Sequence, residues 1–232
     1  MTCCDHCLDS ESLFNQRTAR RDLKRYRRKG MRPSTRRLVE ALAPQAHGAT
    51  LLDIGGGVGA IQHELFDAGL ESATQVDAST AYLERAEEEA GRRGHRDRVT
   101  LRHADFVDIA DEVQPADIVT LDRVICCYPD VDALVRRSAE KATRAYGLVY
   151  PRERRLTKLV LMLGNAFFRL RGSAFRTYVH PPAQVDALVR DQGFSRVFDS
   201  QTLIWSVVVY RRNPPPSSGD PPSSSGDPPS SS

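Results

Sequence analysis

Long apolar runs are missing from this 232-residue chain. The longest candidate, Leu159 to Phe168, is ten residues and contains Gly164 and Asn165. A membrane-spanning helix needs ~18 apolar residues. Residues 1–20 hold no apolar stretch of the length a signal peptide uses, so a soluble, cytoplasmic protein of a reducing compartment is expected. Cysteine is sparse, at five residues. Three crowd the N-terminus as Cys3, Cys4 and Cys7 with His6 between, and two form the pair Cys126-Cys127. Such spacing makes no disulfide framework. The N-terminal group has thiolate and imidazole ligands for a soft metal, but adjacent cysteines aim poorly at one ion and no second ligand pair follows. A frayed terminus with exposed thiols is the reading taken, and no metal is expected. A P-loop is excluded as well, because no Gly-Lys-Ser/Thr follows the glycine-rich stretch described below.

What is present reads as an ordinary globular composition, 40% hydrophobic and 27% charged, enough to bury a sizeable core. The net charge of +3 is unevenly spread: between Arg17 and Arg37 lie eleven Lys or Arg against the single acid Asp22. A stretch of that kind suits an acidic substrate, an anionic lipid or nucleic acid, or else is a solvated helix face. Beyond Arg212 the chain repeats Pro-Pro-Ser-Ser-Gly-Asp with nothing apolar to bury, so residues 213–232 are expected to be disordered. The organisation expected is a basic helical cap over 1–44, a single α/β domain over 45–212 with a helical insertion at 151–172, and the tail.

The rest of the chain is arranged around Leu51-Leu52-Asp53-Ile54-Gly55-Gly56-Gly57-Val58-Gly59. It reads as a buried strand turning through glycines into a helix at about 60–68. Glycines at that junction permit positive φ and let a ligand lie on the backbone, at the positive end of the helix dipole. Strand 72–76 then runs into Asp77 and Ala78, eighteen and nineteen residues after Gly59. An acid there can hydrogen-bond both hydroxyls of a ribose, or can simply start the helix predicted over 80–93. A third strand, 98–102, leads to Asp105-Phe106, and a fourth, 117–121, to Asp122 and the loop Arg123–Asp130. A helix over 131–143, a strand over 147–150, a helix over 182–192 and two strands, 194–199 and 203–210, complete the series. In the cap, a helix from about Ser10 to Arg28 carries Leu13, Phe14, Arg17, Leu23 and Tyr26 on one side. A second helix, capped by Ser34 or Thr35, runs through Leu42.

The run Asp53 to Gly59, D-x-G-x-G-x-G, resembles the first motif of class I S-adenosylmethionine-dependent methyltransferases. The resemblance implies a Rossmann-like, three-layer α-β-α sandwich whose seven-stranded, mostly parallel sheet ends in an antiparallel C-terminal hairpin. It implies S-adenosylmethionine as cofactor, with Asp53, Gly55, Gly56, Gly57 and Gly59 at its amino-acid portion, Asp77 and Ala78 at the ribose, Asp105 and Phe106 at the adenine and Asp122 nearby. It also implies that helices preceding the first strand lid the site. A carboxylate at Asp53 suits an ammonium and would repel the phosphates of a dinucleotide. Amino-methyltransferases acting on DNA, RNA or protein glutamine carry Asn/Asp-Pro-Pro-Tyr/Phe after strand four; its absence counts against a nitrogen of that kind and against nucleic acid as partner.

The expected reaction is methyl transfer to a small-molecule acceptor, at a carboxylate or hydroxyl oxygen of an apolar or acidic substrate. His180, with Tyr128 and Tyr178 beside it, is the candidate base. Leu121-Asp122, Tyr128-Pro129, Tyr178-Val179-His180 and Thr202 are loosely similar to magnesium-protoporphyrin O-methyltransferases. The apolar stripe Leu156, Leu159, Val160, Leu163, Phe167 and Leu170, flanked by arginines between 152 and 171, either packs on the domain or meets a membrane peripherally. A non-catalytic cofactor-binding module and an NAD(P)-dependent oxidoreductase are the competing classes.

Overall fold

A computed structural model describes residues 14–154, 162–166, 169–170 and 177–214. The N-terminal cysteines, half of the predicted insertion and the tail from 215 onward lie outside the described residues. Seven strands form one sheet in the order β3-β2-β1-β4-β5-β7-β6. They are β1 (Thr50–Ile54), β2 (Ser72–Asp77), β3 (Val99–His103), β4 (Ala116–Asp122), β5 (Ala142–Pro151), β6 (Phe194–Gln201) and β7 (Trp205–Arg212). Neighbours from β3 to β5 pair in parallel, and β7 runs antiparallel to both β5 and β6. The expected parallel sheet with a terminal hairpin is therefore observed.

Period-two alternation explains how helices cover both faces. Leu52, Val119, Leu148 and Val208 face a core closed by α6 (Val131–Glu140) and α7 (Pro182–Asp191), through Leu134, Val135, Val185 and Val189. Their chain neighbours Leu51, Ile118, Val149 and Val207 face the opposite core. That core is closed by α2 (Pro33–Leu42) and α3 (Ala60–Asp67) through Leu38, Leu42, Ile61 and Leu65. Three further helices, α1 (Gln16–Lys29), α4 (Thr80–Arg93) and the short α5 (Phe106–Ile109), complete the described elements that frame the strand ends.

Several boundaries differ from the sequence-based expectation. β5 begins at Ala142, five residues earlier than predicted, and α6 ends at Glu140. Tyr146 had no alternating polar neighbours to mark a strand; its hydroxyl is buried within 2.6 Å of Ser138 Oγ. α2 is opened by Pro33 with Arg32 at its N-cap, and neither Ser34 nor Thr35 caps it. Both are buried in the first turn, where Thr35 Oγ1 donates to Asp122 at 2.5 Å. α1 starts at Gln16, where the Asn15 side chain accepts from the Arg17 and Thr18 N–H groups. Leu23 and Tyr26 are buried as predicted, whereas Arg17 is exposed and Phe14 precedes the helix. Among the described residues no helix is long and apolar enough to cross a membrane.

Candidate active site

A cavity of about 310 Å³ opens at the carboxyl ends of β1, β2, β3 and β4. Its floor is the turn after β1, where Gly55, Gly57 and Gly59 all have positive φ, between +58° and +75°. Gly56 is packed from below: a Cβ there would sit 2.5 Å from Asp53 Oδ2 and 2.9 Å from Gln75 Cδ. Any side chain would therefore force the turn off its support. A main-chain bond from Gly55 N to Val76 O at 2.7 Å and a side-chain bond from Gln75 Nε2 to Gly57 O at 2.8 Å fix the turn.

Three carboxylates from successive strand ends surround this floor. Asp77 takes the Gly57 N–H on Oδ2 at 3.0 Å and the Ser79 N–H on Oδ1 at 2.9 Å. Burial raises its pKa and those two backbone donors oppose the rise. Asp105 caps α5 by accepting from Val107 N at 2.9 Å. The Tyr128 hydroxyl donates across to it, 3.0 and 3.1 Å from its two oxygens. Asp53 lies under the turn and is fully buried. Thr120 Oγ1 donates to its Oδ1 at 2.7 Å, while its Oδ2 has no hydrogen-bond partner. Burial, reinforced by Asp122 and Asp77, pushes its pKa up to about 7 against the pull of Thr120.

Of the residues singled out from the sequence, Gly55, Gly56, Gly57, Asp77, Ala78, Asp105, Phe106, Asp122 and Tyr128 line the cavity. Asp53 and Gly59 support the floor from below without lining it. His180 is not among the lining residues; its Nε2 lies 3.2 Å from the Tyr128 carbonyl oxygen, and its ring stacks on Tyr178 at 5.8 Å. Tyr178 is itself tied by its N–H to Cys126 O at 2.7 Å. The pair thus braces the β4 loop from outside.

A helix before β1 roofs the cavity, but its lining residues were not singled out from the sequence as site residues. Phe14, Asp22, Arg25, Tyr26, Met31 and Arg32 reach the cavity from α1 and the residues on either side of it. α1 is fastened by a polar network to α3 and α4. Tyr26 Oη donates to Glu64 at 2.6 Å, Tyr82 Oη to Asp22 at 2.8 Å and Ser79 Oγ to Phe14 O at 2.7 Å. Arg27 bonds the buried Glu89 at 2.7 Å, together with Arg92 and Arg93. Arg123 was also missed, and nothing in its sequence context marks it. It has φ +66°, a conformation costing about 1 kcal/mol or more for a residue with a Cβ. Its N–H to Val149 O and its guanidinium bonds to Asp122, at 2.9 and 3.0 Å, hold it there. Among the described residues no group of three His, Cys, Asp or Glu could hold a metal.

The turn, the strand-end acids and the sheet order together define a class I methyltransferase fold. Residues 52–149 match the family model for a methyltransferase domain, spanning β1 through most of β5. The fold is similar to magnesium protoporphyrin IX methyltransferase (ChlM) from Synechocystis PCC 6803 solved with bound SAM. That match has a TM-score of 0.65 and 18% identity and covers 92% of this chain and all of that one. The same protein solved with bound SAH aligns at 0.64 and 22% identity over 77% of this chain and 82% of that one. An O-methyltransferase family protein from Burkholderia thailandensis aligns at 0.62 and 17% identity, covering 78% of this chain and 55% of that chain. At these identities the likeness is one of fold. A search among curated proteins found no match.

Proposed function

We propose that this chain is an S-adenosylmethionine-dependent methyltransferase acting on an oxygen of a small-molecule acceptor. The observation that carries this reading is the placement of Asp77 and Asp105 around one cavity, over a glycine floor that rests on a buried Asp53. The residues fit the cofactor on two counts. The floor leaves room only where side chains are absent, and Asp53 Oδ2 is a buried acceptor in need of a donor, such as a bridging water beneath an ammonium group. Asp77 would take the ribose hydroxyls, Asp105 the adenine amino group, and Phe106 the face of the ring. Bound there, the cofactor supplies an activated methyl group on a sulfonium centre.

This chain's contribution is then mainly positioning, which suffices when the leaving group is already activated. Arg123, Val124, Cys127 and Tyr128 form the wall beside the floor, where an acceptor would enter. Tyr128 holds Asp105 rather than offering a base, and His180 is turned to the Tyr128 carbonyl. A carboxylate acceptor has no proton to lose and needs no base, so it suits this wall better than a hydroxyl. Calorimetric titration with S-adenosylhomocysteine and, separately, NADH tests the reading. It expects a dissociation constant of the order of micromolar for the first and no heat from the second. Binding of NADH alone would make the chain a nicotinamide enzyme.

A further inference from the structure

We infer that the mouth of the cavity carries a built subsite for an anionic group of the acceptor, formed by α1 and the turn after it. A second cleft on the surface is lined by Arg21, Asp22, Lys24, Arg25, Arg28, Lys29 and Arg32. Asp22, Arg25 and Arg32 line this cleft and the cofactor-sized cavity alike, so the two share a wall. Arg21, Lys24, Arg25 and Arg28 recur at the i, i+3, i+4 and i+7 positions of α1 and so share one face. Arg32 joins them after Gly30, whose φ of +67° turns the chain back.

Among the described residues these charges are not balanced. Asp22 is the one acid of the cleft, and it already accepts from Tyr82 at 2.8 Å and from Arg32 at 3.4 Å. Asp122, the nearest acid of the wall, is taken by Thr35 and Arg123. Among the described residues, Arg21, Lys24, Arg25, Arg28 and Lys29 have no carboxylate within ion-pairing distance. Arg123 and Arg25 stand close enough to Arg32 to disfavour its charged form, second only to its partial burial. Guanidinium groups gathered around a concave surface beside a reaction cavity repel one another until an anion joins them, and their planar forks suit carboxylate or phosphate oxygens. The remaining roof residues, Phe14, Met31 and the ring of Tyr26, are apolar. The acceptor is therefore an apolar body bearing at least one carboxylate or phosphate that stays outside while another oxygen reaches the methyl group.

This inference rests on the proposed activity for the acceptor's role, and the test separates the two. Citrate and inorganic pyrophosphate would be titrated into the full chain saturated with S-adenosylhomocysteine, at about 50 and about 200 mM salt. Wild type is expected to bind at least one with a dissociation constant below about 1 mM, weakening several-fold at the higher salt. The double variant Arg25→Gln/Arg32→Gln should lose roughly tenfold or more. Its ligand-free melting curve should match that of wild type, showing that the fold is kept, and its titrations are run at S-adenosylhomocysteine concentrations that saturate it. Arg136→Gln, an exposed arginine on α6, should bind both anions like wild type. Citrate binding alone assigns a polycarboxylate acceptor, and pyrophosphate alone a phosphorylated one. Equal anion binding by wild type and double variant, or none by wild type, overturns the subsite. Binding of a single-stranded RNA that strengthens with length, without small-anion binding, overturns it too. Anion binding without any S-adenosylhomocysteine binding would instead sink the proposed activity and leave an anion site.

Discussion

Floor and roof of the cavity are held by different kinds of bond. Asp77 and Asp105 on the floor are fixed by backbone N–H groups of Gly57, Ser79 and Val107, with the Tyr128 hydroxyl added at Asp105. Asp22, Tyr26 and Arg27 on the roof are fixed by side chains of α3 and α4, distant in sequence. A floor made from backbone geometry tolerates few substitutions. A roof made from long side chains can be altered one contact at a time.

The largest effect should come from attacking the floor. Gly56→Val would drive methyl groups into Asp53 and Gln75, and it should reduce S-adenosylhomocysteine affinity by roughly 100-fold, or ~2.7 kcal/mol. Calorimetry reads this directly, and near-normal binding would mean that the turn is not a cofactor floor. Asp77→Ala comes next. It strands the Gly57 and Ser79 N–H groups and removes the ribose acceptor, for an expected loss of about 30-fold, or ~2 kcal/mol.

Beneath the floor, two buried groups should oppose each other with pH. Folded Asp53 keeps its proton to about pH 7, against 3.8 when unfolded, so its contribution to stability falls as pH rises through that interval. Folded His63 has a pKa of about 3, against 6.5, because burial penalises its charge; its contribution rises with pH. His95, 3.4 Å away, is shifted in the same direction as His63. Over the overlap, Asp53→Asn should make ligand-free stability climb more steeply with pH than wild type does, and His63→Gln less steeply. Each change approaches about 1.4 kcal/mol per pH unit. Denaturant melts from pH 4.5 to pH 6 check the signs, and parallel curves for all three proteins would count against this assignment.

The roof should show the smallest effect. Glu89→Gln weakens the contact of α1 with α4 and should lower Tm by roughly 4 °C. Affinity for S-adenosylhomocysteine should change less than about twofold. A large loss of cofactor binding in this variant would show that floor and roof act as one unit.

The same contrast explains what could be read from the residues alone. The floor is local: strand, glycines and helix are contiguous from Leu51 to Asp67, and Asp77 and Asp105 sit at predicted strand ends. Asp77 followed from its spacing after the glycines, and Asp105 from the family resemblance. The roof depends on which face of α1 packs where, and an arginine-rich helix offers many equivalent faces. Phe14, Asp22 and Tyr26 could be placed only by their partners Tyr82, Ser79 and Glu64. His180 carried the right chemistry for a base, but its orientation is set by a contact with the main chain of a loop fifty-two residues earlier. No periodicity encodes such a contact. The early start of β5 was hidden for a similar reason, since Thr143 and Arg144 continue the polar pattern of α6.

A crystal structure of the chain with S-adenosylhomocysteine tests the central claim most directly. The account predicts the ribose hydroxyls within hydrogen-bonding distance of Asp77, the adenine beside Phe106 with its amino group at Asp105, and the amino-acid portion over Gly55–Gly57. A ligand lying outside this cavity, or one whose ribose makes no contact with Asp77, would contradict it.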